Sequence, residues 1–140
     1  MKYWNQLDDS VLFRKIFSYQ VPIGSIFLHA FNIDHLMSDA SLRFDIPELP
    51  DLPPEKWAHQ GFNTCQIGLT LLKVTRLSIQ YNYSQKPFTL QITQAHTHYK
   101  VRVHNEDAEI NLEAEYIMLN GPSVYLNSTG PFKSAEPSVP

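Results

Sequence analysis

The chain has 140 residues, the length of one domain, with 11 Lys and Arg against 14 Asp and Glu. The net charge of −3 argues against nucleic acid as a partner, because phosphate binding depends on a basic surface. The single cysteine, Cys65, excludes an internal disulfide framework. The polar N-terminus is unlike a signal peptide and no long apolar run suggests a membrane span, so we expect a cytoplasmic protein.

The first predicted element is a helix over residues 4–18. Its apolar side chains recur with the spacing of one helical face, at Trp4, Leu7, Val11, Leu12 and Ile16. The stretch "VPIGS" that follows ends the helix, because proline and glycine interrupt regular structure.

From residue 26 onward the sequence predicts strands, because apolar and polar residues alternate with a period of two. The first strand, residues 26–34, is mostly apolar and fits a strand that is buried on both faces, or nearly so. Further strands are predicted over residues 41–46, 64–72, 74–83, 88–95, 97–104 and 108–119.

Short turns between the later strands indicate an antiparallel meander. The predicted fold class is α+β, mostly β, with the N-terminal helix packed on a curved antiparallel sheet, or on a two-layer sandwich, of about seven to eight strands. We expect residues 1–127 to form a single globular domain. Residues 128–140 are rich in Pro and Ser and are predicted to be a flexible tail.

Three histidines, His96, His98 and His104, share strand parity and raise the question of a metal site. Lys100 and Arg102 have the same parity, and these fixed cations would oppose a metal ion. We therefore interpret this face as solvated and expect no metal.

Catalytic signatures are missing from the sequence, which has no G-x-S-x-G, H-E-x-x-H, C-x-x-C or glycine-rich phosphate loop. Cys65 shares the strand parity of Ile67 and Leu69, so we interpret it as a buried apolar residue rather than a nucleophile.

Two clusters of acidic residues remain. The first contains Asp39, Asp45, Glu48, Asp51 and Glu55. The second contains Glu106, Asp107, Glu109, Glu113 and Glu115, with no Lys or Arg among them. Each cluster fits a solvated face that discourages aggregation, and each also fits a surface that attracts a basic protein.

The stretch "LRFDIPELPDLPPEKWAHQGFNTCQIGLTLL", residues 42–72, combines an Arg-Phe-Asp triplet, proline-spaced acids and Pro-Pro before Lys-Trp. This pattern resembles the characteristic segment of the immunity-protein-50 family of bacterial polymorphic toxin systems. The resemblance extends over residues 3–120. It implies a cytoplasmic protein that binds and neutralises a toxin encoded by a neighbouring gene, with no catalytic residue and no cofactor.

Four carboxylates in and beside this stretch, Asp45, Glu48, Asp51 and Glu55, are the predicted partner-binding residues. The rest of the motif is predicted to be structural, because prolines remove backbone donors and fix φ. The structural residues are Arg43, Pro47, Pro53, Pro54 and Trp57, and we expect Trp57 to fix the far end of the segment in the core.

Two other functions stay open on the sequence: a small β-domain that binds an apolar or carbohydrate ligand, and a small hydrolase that uses its carboxylates or histidines. For the leading interpretation we expect a protein toxin as the partner, with neither nucleic acid nor membrane involved. The sequence leaves open which toxin is bound, by which face, and whether the chain forms a homo-oligomer.

Overall fold

The computed structural model describes residues 1–127, so the predicted tail over residues 128–140 lies outside the described residues. The elements are a 3-10 helix (Trp4–Gln6), helices α1 (Val11–Ile16) and α2 (Glu55–Gln60), and strands β1 (Ser25–Asp34), β2 (Asp39–Ile46), β3 (Thr64–Tyr81), β4 (Phe88–Gln94), β5 (Tyr99–His104) and β6 (Ala108–Tyr125). Among these residues, no helix is both long enough and apolar enough to cross a membrane.

The strands form one antiparallel sheet that closes into a barrel in the order β1-β2-β3-β6-β5-β4. This confirms the α+β, mostly β fold class. Residues 1–127 contain six strands instead of about seven to eight, because the two strands predicted over residues 64–72 and 74–83 form one strand, β3, which ends at Tyr81. Lys73 interrupts its regular geometry with a φ of +56°, but pairing with β6 continues on both sides of it.

The barrel closes where β1 meets β4, and this contact is short. Only Ser25 and Ile26 of β1 pair with β4, opposite Thr89 and Phe88. Beyond Ile26, strand β1 pairs with β2 alone and is mostly half-buried or exposed. The prediction that residues 26–34 are buried on both faces, or nearly so, is therefore wrong. Beyond Ile26, one edge of this strand has no paired strand among the described residues, and most of its residues are half-buried or exposed.

The core fills the barrel interior, as alternation along the strands predicts. Its largest fully buried side chains are Trp4, Phe13, Ile16, Ile26, Leu42, Phe44, Ile46, Ile67, Leu69, Leu71, Leu90 and Ile110.

The N-terminal segment covers part of this core but is less helical than predicted. Asp9 has a φ of +62°, which separates the 3-10 helix from the six residues of α1. Trp4 connects this segment to the rest of the fold. Its backbone N–H donates to the carbonyl of Val21 at 2.9 Å, and the centre of its ring lies 5.3 Å from that of Phe44. The segment's role as a cover therefore depends on tertiary contacts rather than on a long helix.

Candidate partner-binding surface

Asp45, one of the four predicted partner-binding carboxylates, has a fully buried side chain. Its Oδ2 atom accepts a hydrogen bond from the Tyr125 hydroxyl at 2.5 Å and lies 2.7 Å from Nε2 of His29, the distance of an ion pair when the imidazole is protonated. The Oδ1 atom is also buried and has no hydrogen-bond partner within residues 1–127. The His29 side chain is 28% exposed, so solvent reaches this cluster through the imidazole.

The His29–Asp45–Tyr125 cluster ties β1, β2 and β6 together. Burial, and then the hydrogen bond to Asp45, raise the pKa of Tyr125, so its hydroxyl keeps its proton and donates it to the carboxylate. The Tyr125 hydroxyl also lies 3.4 Å from Nε2 of His29. This geometry gives Asp45 an internal role, since its carboxylate is engaged inside the protein and is not presented to a partner.

The other three predicted carboxylates have different environments. Glu48 is half-buried, and burial raises its pKa. Asp51 accepts hydrogen bonds from the N–H of Ser18 at 2.9 Å and from the Ser18 hydroxyl, which lower the pKa of Asp51. Glu55 lies on α2 with its side chain 89% exposed. The four acids therefore do not form one exposed patch, and Glu55 is the one most available to a partner.

The predicted structural residues between β2 and β3 differ in their burial. Pro47 and Pro54 are exposed and Pro53 is half-buried, while Pro54 provides the N-cap position of α2. Arg43 is exposed on β2. Trp57 packs against the core but stays partly exposed, so it lies at the surface of the core and does not enter it fully.

The second acidic cluster is balanced by cations from other parts of the fold. The closest ion pairs are Lys86–Glu106 at 2.9 Å, Arg102–Glu109 at 2.9 Å, Arg76–Glu113 at 3.3 Å and Lys73–Glu115 at 3.7 Å. Exposed pairs of this kind contribute little to stability, but they cancel the negative charge locally. The linear sequence hid this pairing, because the cations come from β3, β5 and the turn before β4.

The predicted histidine face is partly solvated. His98 lies 3.3 Å from Glu113, and Lys100 and Arg102 are exposed beside it, while Val101 and Val103 point into the core. Among the described residues, no group of three or more His, Cys, Asp or Glu side chains is placed to hold a metal ion.

Cys65 is fully buried on β3, as its strand parity predicts. Burial, with further contributions from Asp45 and Glu48, raises the pKa of its thiol to about 12. We expect the native protein to resist iodoacetamide at a pH of about 8 and the unfolded chain to react readily, because the thiolate is the nucleophile. Mass spectrometry after timed alkylation measures this, and rapid labelling of the native chain would contradict it.

The raised pKa of the Cys65 thiol makes the stability of the folded protein depend on pH. The thiol has an ordinary pKa of 9.0 in the unfolded chain and about 12 in the folded one. The neutral thiol therefore favours folding at low pH, and its contribution to stability decreases as the pH rises from 9 towards 12.

A groove of about 450 Å³, which we call the mouth groove, opens between β1 and the far end of β3. Within residues 1–127, the side chains that line it include no Asp, Glu, Lys or Arg. The lining residues are Phe27, Leu28, His29, Ala30, Phe31, Ile79, Tyr81, Tyr83, Ser84, Gln85, Phe88 and Ile110. At its β3 side, Leu77 is 39%, Ile79 50% and Tyr81 58% exposed. Such a cluster of exposed apolar and aromatic side chains is typical of a protein-binding surface.

The mouth groove exists because two strands lose their neighbours at the same end of the barrel. Pairing of β2 with β3 stops at Ala40 and Leu71, and pairing of β1 with β4 stops at Ile26. Strand alternation assigns Ile79 to the inward face, and its partner across the sheet, Ile110, is indeed buried. Sequence reasoning missed the groove, because alternation tells which face a residue takes and not whether that face is covered.

Comparison with known proteins adds one match. A family model described as immunity protein 50 matches residues 9–125. No curated protein and no solved structure matches the chain. The matched range contains all six strands, the His29–Asp45–Tyr125 cluster and the mouth groove, while Trp4 precedes it. The chain therefore belongs to the immunity protein 50 family.

Proposed function

We propose that this chain is a bacterial immunity protein that binds a cognate toxin, encoded by a neighbouring gene, and neutralises it in the cytoplasm without catalysis. The observation that carries this proposal is the family match, which covers nearly all of the described chain and names an immunity protein.

The mouth groove is the surface that we assign to the toxin. Interfaces between proteins are enriched in aromatic and apolar residues at their centre and depleted of charge there. The exposed Ile79 and Tyr81, beside a lining without charged carboxylates or cations, fit this composition.

A second contact region is formed by the acidic residues between β2 and β3. Glu55 is the most exposed of these, and Glu48 and Asp51 lie earlier in the same segment. We propose that Glu55 steers a basic toxin surface, with Glu48 and Asp51 as weaker contributors, because exposed charges mainly affect the association rate.

Co-expression of the chain with the adjacent toxin gene tests the function through growth rescue and pull-down. We expect the wild-type chain to restore growth and Ile79→Asp to lose rescue, since a carboxylate placed in an apolar contact must be desolvated. Ser78→Asp is the matched control, because Ser78 precedes Ile79 on β3, is exposed and points to the opposite face.

One outcome would contradict the proposed function, and a different outcome would contradict the groove as the interface. If the wild-type chain neither binds nor rescues against the adjacent gene product, the proposed function fails. If Ile79→Asp rescues normally while charge reversal to lysine at Glu48, Asp51 and Glu55 abolishes rescue, the interface lies at the acidic segment instead of the groove. Circular dichroism of each variant shows whether the loss is one of folding.

One observation favours a second candidate function, the binding of a small apolar ligand. The mouth groove is large enough for a small molecule and is lined with aromatic rings around His29. Native mass spectrometry of the purified chain would support this function if it showed a bound small molecule that Ile79→Asp removes.

A further inference from the structure

The second half of β3 has a neighbouring strand on one side only. Residues 76–81 pair with β6, from Arg76 opposite Glu113 to Tyr81 opposite Ala108. On the other side, β2 reaches only as far as Leu71. Within the described part of the chain, no strand pairs with residues 75–81 along this second edge.

The hydrogen bonds at the end of β3 show which backbone groups point to the open edge. The N–H of Asn82 donates to the carbonyl of Asp107 at 3.1 Å, so these two form a bonded pair with β6. Opposing residues in an antiparallel ladder alternate between bonded and non-bonded pairs. Ser78 and Gln80 therefore bond to β6, whereas the N–H and C=O groups of Leu77, Ile79 and Tyr81 point away from it.

The bonding between β5 and β6 gives the same assignment independently. The N–H of Asn105 donates to the carbonyl of Ala108 at 3.0 Å, so Ala108 directs its backbone groups to the β5 side. Ala108 is the residue opposite Tyr81. A residue cannot direct both backbone groups to β5 and bond to β3, so the Tyr81 pair is a non-bonded one.

We propose that the open edge of β3 at residues 77–81 receives an extended strand of the toxin, which adds to the sheet in antiparallel or parallel pairing. This inference rests on the proposed function and specifies how the partner is held. Three alternate residues offer three N–H donors and three C=O acceptors, which is the pattern that strand addition uses.

The chemistry of the toxin strand follows from the groove beside this edge. Ile79 and Tyr81 line the groove, and Leu77 shares their strand parity. Among the described residues, the groove lining carries no Asp, Glu, Lys or Arg. Side chains of an added strand that face the same way must be uncharged, since a charge buried there would find no counter-ion. The segment is therefore an extended strand of about five residues whose inward face is apolar.

The edge of β1 is less suited to this role. It also lacks a partner beyond Ile26, but its outer end carries Asn32 and Asp34. A charged residue at the end of an unpaired strand discourages edge-to-edge pairing. The corresponding stretch of β3, from Leu77 to Tyr81, contains no charged residue.

Amide hydrogen exchange, followed by NMR on the chain alone and with the purified adjacent gene product, tests the proposal at single residues. In the free chain we expect protected amides at Ser78 and Gln80 and rapid exchange at Leu77, Ile79 and Tyr81. In the complex, exchange at these three should slow by about 100-fold or more, because their N–H groups become hydrogen-bonded. Ser78 and Gln80 act as internal controls.

A pair of substitutions at Ile79 separates the backbone from the side chain. Ile79→Ala keeps the N–H and shortens the side chain, whereas Ile79→Pro removes the N–H that points to the open edge. Proline is tolerated at such a position because the pairing with β6 does not use this N–H. We expect Ile79→Pro to bind the toxin on the order of 100-fold more weakly than Ile79→Ala, with both variants folded, because it removes a ladder hydrogen bond and its ring blocks the edge.

Each outcome decides the proposal. Slower exchange at the three amides, together with selective loss of binding in Ile79→Pro, would support it. A toxin that binds the wild-type chain but leaves these amides unprotected would overturn strand addition while leaving the proposed function intact. Protection that appears in the free chain as its concentration rises would assign the edge to a second copy of this chain and would also overturn the proposal. No toxin binding by the wild-type chain would overturn the proposed function and this assignment together.

Discussion

Replacing Asp45 with alanine is expected to lower the free energy of unfolding by about 3 kcal/mol, because a hydrogen bond to a charged acceptor contributes about 1.5–3 kcal/mol and the substitution also removes the ion-pair contact with His29. The substitution removes the acceptor of the Tyr125 hydroxyl and the ion-pair partner of His29, which come from different strands. The Tyr125 hydroxyl is part-buried and would be left without this acceptor. Urea denaturation at neutral pH measures the change.

A double-mutant cycle with Tyr125→Phe isolates the hydrogen bond to Asp45. The two single substitutions should cost more in sum than the double one, with a difference of about 1–2 kcal/mol, since both remove the same interaction. Glu55→Ala is the matched control and should change stability by less than about 0.5 kcal/mol, because its side chain is exposed. An Asp45→Ala protein of unchanged stability that binds toxin poorly would instead give Asp45 the partner-binding role predicted from the sequence.

Replacing Trp4 with alanine is expected to cost about 3–5 kcal/mol, the range for removing a fully buried large aromatic side chain. Trp4 is 1% exposed and packs against Phe44 inside the barrel. Its loss would leave a cavity beneath the N-terminal segment and would also remove one of the buried apolar residues that hold this segment to the core. Thermal unfolding followed by circular dichroism measures the effect.

Trp57→Ala provides the comparison, because Trp57 is the same residue type but is only half-buried. We expect it to cost about 1–2 kcal/mol, in proportion to the smaller apolar area that it removes from water. Equal costs for the two substitutions would mean that Trp57 anchors the proline-rich segment as strongly as Trp4 anchors the N-terminal one. In that case, the sequence-based interpretation of Trp57 as a core residue would be favoured.

Strand alternation predicted the local state of most of the chain. Cys65, Val101 and Val103 are buried as their parity predicts, and Lys100 and Arg102 are exposed. These outcomes follow from the period of two in a strand, which is a local property of the sequence. The N-terminal helix was predicted too long, because its apolar spacing did not reveal the positive φ at Asp9.

The candidate site was harder to predict, because it depends on which elements meet. Asp45 lies in an alternating strand with polar parity, so the sequence indicated exposure, but Tyr125 and His29 enclose it from β6 and β1. Glu113 belongs to an acidic run in the sequence and is balanced by cations such as Arg76, which lie across the sheet. The run of acidic residues therefore suggested a negatively charged patch, but in the fold cations from other strands balance this charge.

The sequence by itself determined the mostly β fold class, the burial of its alternating residues and, through the proline-rich segment, the family resemblance that the family match confirms. Only the tertiary structure decided that the sheet closes into a barrel of six strands and that this closure is incomplete beside β1 and β3. The physical reason is that alternation fixes the face to which Ile79 points, whereas strand pairing over long sequence distances decides whether that face and edge are covered.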